Sequence, residues 1–305
     1  FRRFTAPHRI QRFTCKTCKR SFSSQTFSTT YWQKRPDLDA QIIMKTSGGM
    51  ANRQIARDLQ VSPETINRHI ARLGRHCLLF HNQMMKKSPP VHEVVADGFE
   101  TFEFSQYFPI HHHLAIEKGS DFLIYFTDSE LRRKGRMTVQ QKRRRQELEL
   151  KFGRPDPKAI EKDMRQTLEV ALNGRPSATV YSDDHRAYRR SIKGLATRID
   201  HRVTSGLAHR DQNNSLWEVN LLDLLIRHGN ANHKRETLAW SKRRQGSSDR
   251  LAILLVWRNY MKGRREKVRG SPTPAMERGS MDHPLEIEEL LSERIFRTRC
   301  ELPPR

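Results

Sequence analysis

Acid is what this chain is short of. Its 34 Asp+Glu face 57 Lys+Arg, for a formal charge of +23 and a pI near 10.5. A chain this basic is drawn to polyanions, nucleic acid first, because neutralising phosphates releases condensed counterions. A ribosomal or a membrane-surface protein would be the other basic outcomes. Long apolar runs are missing too. None approaches the ~20 residues of a membrane-spanning helix, and no signal peptide is visible. Cysteine is scarce, with only Cys15, Cys18, Cys77 and Cys300. That excludes a disulfide scaffold and suggests a reducing cytosol. The hydrophobic fraction, 35%, is modest for 305 residues, so linkers, arms and solvated helices should accompany two or three domains. The chain begins at Phe1 rather than Met, which suggests a shortened N-terminus.

Cys15 and Cys18 form a CxxC flanked by Phe13, Phe22 and the basic Lys16, Lys19 and Arg20. Two thiolates at that spacing reach one tetrahedral Zn2+ on a tight turn. This reads as half of a zinc ribbon over residues 1–34. No second CxxC lies upstream, and His8 is a weak candidate to complete the site. A redox CxxC would want a thioredoxin-like strand and helix, which are absent.

Residues 35–84 read as a helix-turn-helix. A first helix over 37–44 is stopped by Ser47, Gly48 and Gly49, and a second covers 52–59. Ser62 suits an N-cap and Pro63 the first position of a third helix running to about Gly74. Ile66, Ile70 and Leu73 make its apolar stripe, facing Ile55 and Leu59. Thr65, Asn67, Arg68, Arg72 and Arg75 are then left exposed, side chains suited to base edges and phosphates in a major groove. An ordinary three-helix bundle is the alternative. Residues 84–90 look like a linker.

From His92 the period changes to that of strands, over 92–100, 110–117 and 121–128. Alternation sends His111 and His113 to one face and His112 to the other, so the three cannot easily form one metal site. A structural or substrate-contact role suits them better. Residues 131–154 carry ten Lys/Arg against Glu147 and Glu149, including Arg143, Arg144 and Arg145, and read as a basic arm or helix beside nucleic acid. A helix over 156–172 follows, then a strand over 177–183 and another over 197–203. Asp97 and Asp183 each end an apolar strand, and Asp223 lies on an amphipathic helix. Three carboxylates brought to one point hold divalent metal, and metal so held cuts or joins phosphodiesters. Three strands, a helix, a strand, then helices is the order of the ribonuclease H-like fold, an α/β core with a mixed sheet.

The combination resembles DDE-type transposases of bacterial insertion sequences, near the insertion-sequence-one type. Ser-Asp-Asp-His-Arg-Ala-Tyr at 182–188 is similar to that family's second-aspartate motif. Ile226-Arg227 and Arg-Glu-Thr-Leu-Ala-Trp-Ser-Lys at 235–242 are similar to its late helix and the segment after it. The likeness spans roughly residues 10–265. It implies a catalytic domain over 91–265 and a tail over 266–305. It also implies cleavage and strand transfer of duplex DNA, at terminal inverted repeats and target, by a homo-oligomer with Mg2+ or Mn2+. The expected location is the prokaryotic cytoplasm, with the nucleoid. Asp97, Asp183 and Asp223 would hold the metal. Arg227, His228, His233, Lys234 and Arg235 would bind phosphates. One position departs from the pattern: Asn220 stands where the third acid should be, so Asp223, one turn along, is favoured, with Glu236 and Glu218 as alternatives. Asp184 is expected to face outward or cap the next helix. A catalytically inactive regulator, and a ribonuclease H-like nuclease without strand transfer, stay open as alternatives.

Overall fold

The computed structural model describes residues 9–234 and 237–296. His8, Arg235, Glu236 and Cys300 lie outside the described residues.

A small antiparallel hairpin, β1 (Arg12–Thr14) and β2 (Ser21–Ser23), carries the CxxC in its turn. Phe13 stacks on Phe22 across it, with ring centroids 5.3 Å apart. Three helices follow: α1 (Asp39–Ser47), α2 (Asn52–Asp58) and α3 (Pro63–Lys87). Ser62 caps α3 as expected, its hydroxyl accepting the Thr65 N–H at 3.2 Å. Ile55, Ile66, Ile70 and Leu73 are all buried. Asp39 on α1 is fully buried and lies 2.6 Å from His69 Nδ1, tying α1 to α3.

The third helix does not stop near Gly74. It runs on to Lys87, so most of the expected linker is its last turn. Gly74 is a crossing point. A Cβ there would lie 2.7 Å from the Cα of Asp249 on α8 (Arg244–Val256). Without one, the two helices pack backbone to backbone, and Cys77, Leu79 and Phe80 continue the buried stripe. The apolar α8 is thus covered within the chain. It ends in a π-helical turn, Trp257–Met261.

The main sheet has the order β5-β4-β3-β6-β7. Its strands are β3 (Glu93–Phe102), β4 (Pro109–Glu117), β5 (Leu123–Glu130), β6 (Ser177–Asp183) and β7 (Arg198–Thr204). The first three pair antiparallel; β6 and β7 pair parallel to β3 and to each other. This is the mixed, ribonuclease H-like sheet that the order of elements predicts. One face is covered by α5 (Ala159–Leu172), where Thr127 Oγ1 donates to the Asp163 carbonyl at 3.1 Å. The other is covered by α7 (Trp217–Gly229) and α8. Between β6 and β7 lies α6 (Arg186–Lys193). The basic insertion forms α4 (Val139–Phe152), which buries no residue of its own.

Helix-turn-helix and sheet share one continuous core, from Leu38 to Leu290. The buried Arg250 joins them: it donates to the Met50 carbonyl at 2.8 Å, to Asn52 Oδ1, and to Asn232 Oδ1 at 3.1 Å. Asn52 in turn donates to Asn67 on α3 at 2.6 Å. The C-terminal segment is no bare tail. It folds back through α9 (Pro274–Glu277) and α10 (Ile287–Ser292), burying Leu285 and Leu290.

Gly74→Ala tests the crossing. At an isolated helical site this change stabilises by about 1 kcal/mol. Here it is expected to destabilise by about 1–3 kcal/mol in urea unfolding, because the added methyl meets backbone; a gain would refute the close approach.

Candidate active site

Asp97 stands where β3 loses a neighbour. The parallel ladder to β6 ends at Val95–Tyr181, while the antiparallel ladder to β4 continues past Asp97–Leu114 to Phe102–Pro109. Beyond Val95 the edge of β3 toward β6 is unpaired, and Asp97 lies there, close enough to Asp183 at the end of β6 to feel its charge. Gly98 is required beside it, since a Cβ there would collide with the His112 carbonyl and the His111 ring. Tyr188, from α6, donates its hydroxyl to Asp97 Oδ1 at 3.1 Å. Burial, then the negative charge of Asp183 and more weakly that of Asp223, push the Asp97 carboxyl up to about 6. The Gly98 N–H and the Tyr188 hydroxyl pull the other way. Tyr188 is itself raised well above its ordinary 10, by burial and by Asp97 and Asp183, and stays a donor.

The three expected aspartates therefore feel one another, but they do not present a finished ligand set. Among the described residues, no group of three His, Cys, Asp or Glu side chains is arranged to hold a metal ion. Asp223 is half-buried, and both its oxygens accept from Arg227 Nε, at 3.0 and 3.1 Å. Asp183 Oδ1 accepts the His185 N–H at 3.0 Å. The cap of α6 is His185, whose ring accepts the Ala187 N–H, so the exposed Asp184 caps nothing. Glu218 is not available as the third acid: it is buried and bound to Lys118 Nζ at 2.8 Å and the Gly119 N–H at 3.2 Å.

The histidines divide as alternation predicts. His112 lies opposite Phe99 and meets Ser247 of α8 at 2.8 Å. On the other face His113 meets Ser129 at 2.7 Å, and Ser129 donates to Asp163 of α5. His111 approaches the Tyr188 hydroxyl at 3.5 Å, and burial holds its pKa down to about 3. His233, expected to meet phosphate, is buried beside Phe99 and His112 instead. Reading the sequence missed the roles of Tyr188 and His111. A hydroxyl-bearing aromatic five residues after Asp183, one turn into a helix, was the available signal.

On α3, Asn67 and Arg68 are exposed, Arg68 beside Glu64 at 3.1 Å. Thr65 is half-buried, its hydroxyl 2.9 Å from that of Ser62. Arg72 and Arg75 are not exposed as expected. Both are half-buried, with their guanidinium groups 4.9 and 5.0 Å from the ring of Phe296 in the returning C-terminal segment. Arg143 and Arg144 stand in solvent on α4, both paired with Glu147, whereas Arg145 turns inward to Glu149. Amide hydrogen bonds from Cys18 and Thr17 lower the pKa of Cys15. Cys18 is exposed beside it.

Residues 39–76 match the profile of bacterial regulatory proteins, luxR family. They carry a helix-turn-helix of the DNA-binding type. No curated protein matches the chain. Two solved structures resemble it loosely. One is the cryo-electron-microscopy structure of a simian T-cell lymphotropic virus intasome in complex with PP2A regulatory subunit B56 gamma. It is 12% identical, over 82% of this chain and 76% of that one, with a TM-score of 0.29. The other is the crystal structure of the catalytic domain of Mos1 mariner transposase. It is 13% identical, over 62% of this chain and 89% of that one, with a TM-score of 0.22. At these scores neither bears on the chemistry.

The raised Asp97 pKa fixes a sign. Its folded value lies above the ordinary 3.8, so ionised Asp97 opposes folding. The penalty is absent below about pH 4, grows as pH rises to about 6, and is complete above. Asp97→Asn keeps an acceptor for Tyr188 and removes the charge. It should gain about 2–3 kcal/mol in urea unfolding near pH 7 and nothing near pH 4. Equal stability at both pH values would deny the buried like-charge cluster.

Proposed function

We propose that this protein is a DNA-binding phosphoryl-transfer enzyme, a transposase of the insertion-sequence kind, with Asp97 and Asp183 at its centre and Asp223 as third carboxylate. The observation that carries the reading is the grouping at the free edge of β3, where the half-buried Asp97 carboxyl accepts from Tyr188 at 3.1 Å and desolvation, then Asp183 and more weakly Asp223, disfavour its anion. Nothing in stability rewards that grouping, whereas a bound cation would relieve it. The donors are carboxylate oxygens, which suit a hard ion such as Mg2+ or Mn2+. Asp97 and Asp183 would hold it, and Asp223 would join once its oxygens leave Arg227. Held by these carboxylates, such an ion would supply Lewis acidity toward a water or 3′-hydroxyl and toward the leaving oxygen.

The rest falls to the chain's own side chains. Tyr188 fixes the orientation of Asp97. Arg227, released from Asp223, can turn to a phosphate, with His228 and Lys234 nearby in sequence. Asn67 and Arg68 would read the duplex, and the arginines of α4 would add phosphate contacts. Arg72 and Arg75 would contribute only if Phe296 moved. Cys15 and Cys18 would supply two of the four ligands of a zinc ribbon. Joining of cut ends to target DNA, and assembly of several copies, belong to the same reading.

One observation favours a second reading, a regulator that binds DNA without cutting it. Asp223 is already neutralised by Arg227 at 3.0 Å, and Asn220 stands one turn before it.

Mg2+-dependent cleavage decides between the two. Asp97→Asn and Asp183→Asn are each expected to slow cutting by about 10³ or more and to leave DNA binding intact. Undiminished cutting by Asp97→Asn would end the enzyme reading, and no cutting by the parent protein would favour the regulator. Binding has its own test. Arg68→Ala should lower the slope of log affinity against log salt by about 1; an unchanged slope would take Arg68 off the phosphate backbone.

A further inference from the structure

We infer that the free edge of β7 is a seam between two copies of this chain, β7 pairing antiparallel with β7 of the second copy about a two-fold axis at His201. The inference gives the assembly of copies in the reading above a definite surface, and it needs neither cleavage nor DNA.

The two edges of the main sheet differ. β5 is buried along its length except at Glu130. β7 is paired to β6 alone, and none of its seven residues is buried. Proline, lysine and bulges commonly keep a bare edge from pairing. β7 has neither residue, and its register with β6 is unbroken.

The backbone has groups to spare. The Arg198 N–H is bonded toward β6, to the Pro176 carbonyl at 3.0 Å. Alternation then turns the N–H and C=O groups of Ile199, His201 and Val203 outward. In a ladder centred on His201 these three meet one another. Ile199 faces Val203 of the second copy, and His201 faces its own counterpart, each pair exchanging both N–H···O=C bonds. The apolar pair gains cover, since Ile199 is half-buried and Val203 is 39% exposed. The His201 ring is already engaged, its Nε2 2.9 Å from the Ser182 hydroxyl.

Charge selects this register. Arg198, Asp200, Arg202 and Thr204 share the opposite face. Asp200 and Arg202 pair along the strand at 3.0 Å, both in solvent. Centring on His201 sets Asp200 against Arg202 of the second copy, and Arg202 against Asp200. Such pairs are the ones without backbone bonds, where side chains come closest. Moving the axis to Asp200 would set Asp200 against itself and Arg198 against Arg202. Moving it to Arg202 would set Arg202 against itself. Like charges directly opposite destabilise a sheet. An unrelated strand would have to reproduce this pattern, whereas a second copy supplies it by symmetry.

Analytical ultracentrifugation of the full chain, without DNA or Mg2+, tests the seam. One short seam buries little area, so the parent should dimerise weakly, with a Kd of about 10–100 μM. Asp200→Arg sets arginine against arginine on both sides of the axis and should weaken the dimer by about tenfold or more. The exchanged variant Asp200→Arg/Arg202→Asp restores opposite charges in the same register. It should return to within about threefold of the parent. A parent still monomeric at about 500 μM, an Asp200→Arg protein that dimerises like the parent, or an exchanged variant no better than Asp200→Arg would each overturn the inference. Failure of the phosphoryl-transfer reading shows in the cleavage assay and leaves this measurement untouched.

Discussion

β3 is hydrogen-bonded on both sides up to Val95 and on one side only beyond it. The arrangement around the carboxylates depends on that break. A strand paired on both sides has its faces crowded by the side chains of both neighbours. A strand with one free edge has backbone groups to satisfy and space to fill. Here the space is filled by Asp97 and by the Tyr188 hydroxyl that reaches it. Gly98 lets β4 press close on the paired side, where any larger residue would meet the His112 carbonyl. Open sheets of this kind place their sites where neighbouring strands part, beyond carboxyl ends; Asp183, the last residue of β6, obeys the same rule.

Much of the fold was legible because local and global signals agreed. Ser62 and Pro63 mark the start of α3, and the apolar runs before Asp97 and Asp183 mark β3 and β6. What stayed hidden depended on partners far along the chain. Gly74 reads as a helix stop until Asp249 is known to lie against it. Arg72 and Arg75 read as outward-facing until Phe296 is seen beside them. The link between Asp223 and Arg227 went unread, since Asp223 was assigned to metal and Arg227 to phosphate, although their spacing of four on one helix favours ion pairing.

Several buried polar groups are structural. Asp128 is buried and takes Arg244 and the Ser248 hydroxyl, joining β5 to α8. The His113–Ser129–Asp163 chain does the same for the face toward α5. Such networks add less to stability than to uniqueness, since a half-satisfied alternative packing is costly. They hold α5 and α8 each to one position over the sheet.

Arg250 extends that principle across the whole molecule. One guanidinium, 3% exposed, is shared by the start of α2 and by the loop at Asn232, and through Asn52 it reaches Asn67. The recognition helix and the loop leading to Lys234 therefore keep a set spacing. On the proposed reading, a duplex gripped at α3 would be measured as by a gauge: which rung of the double helix came under the carboxylates would be decided by how far that duplex extends from its grip, turn by turn.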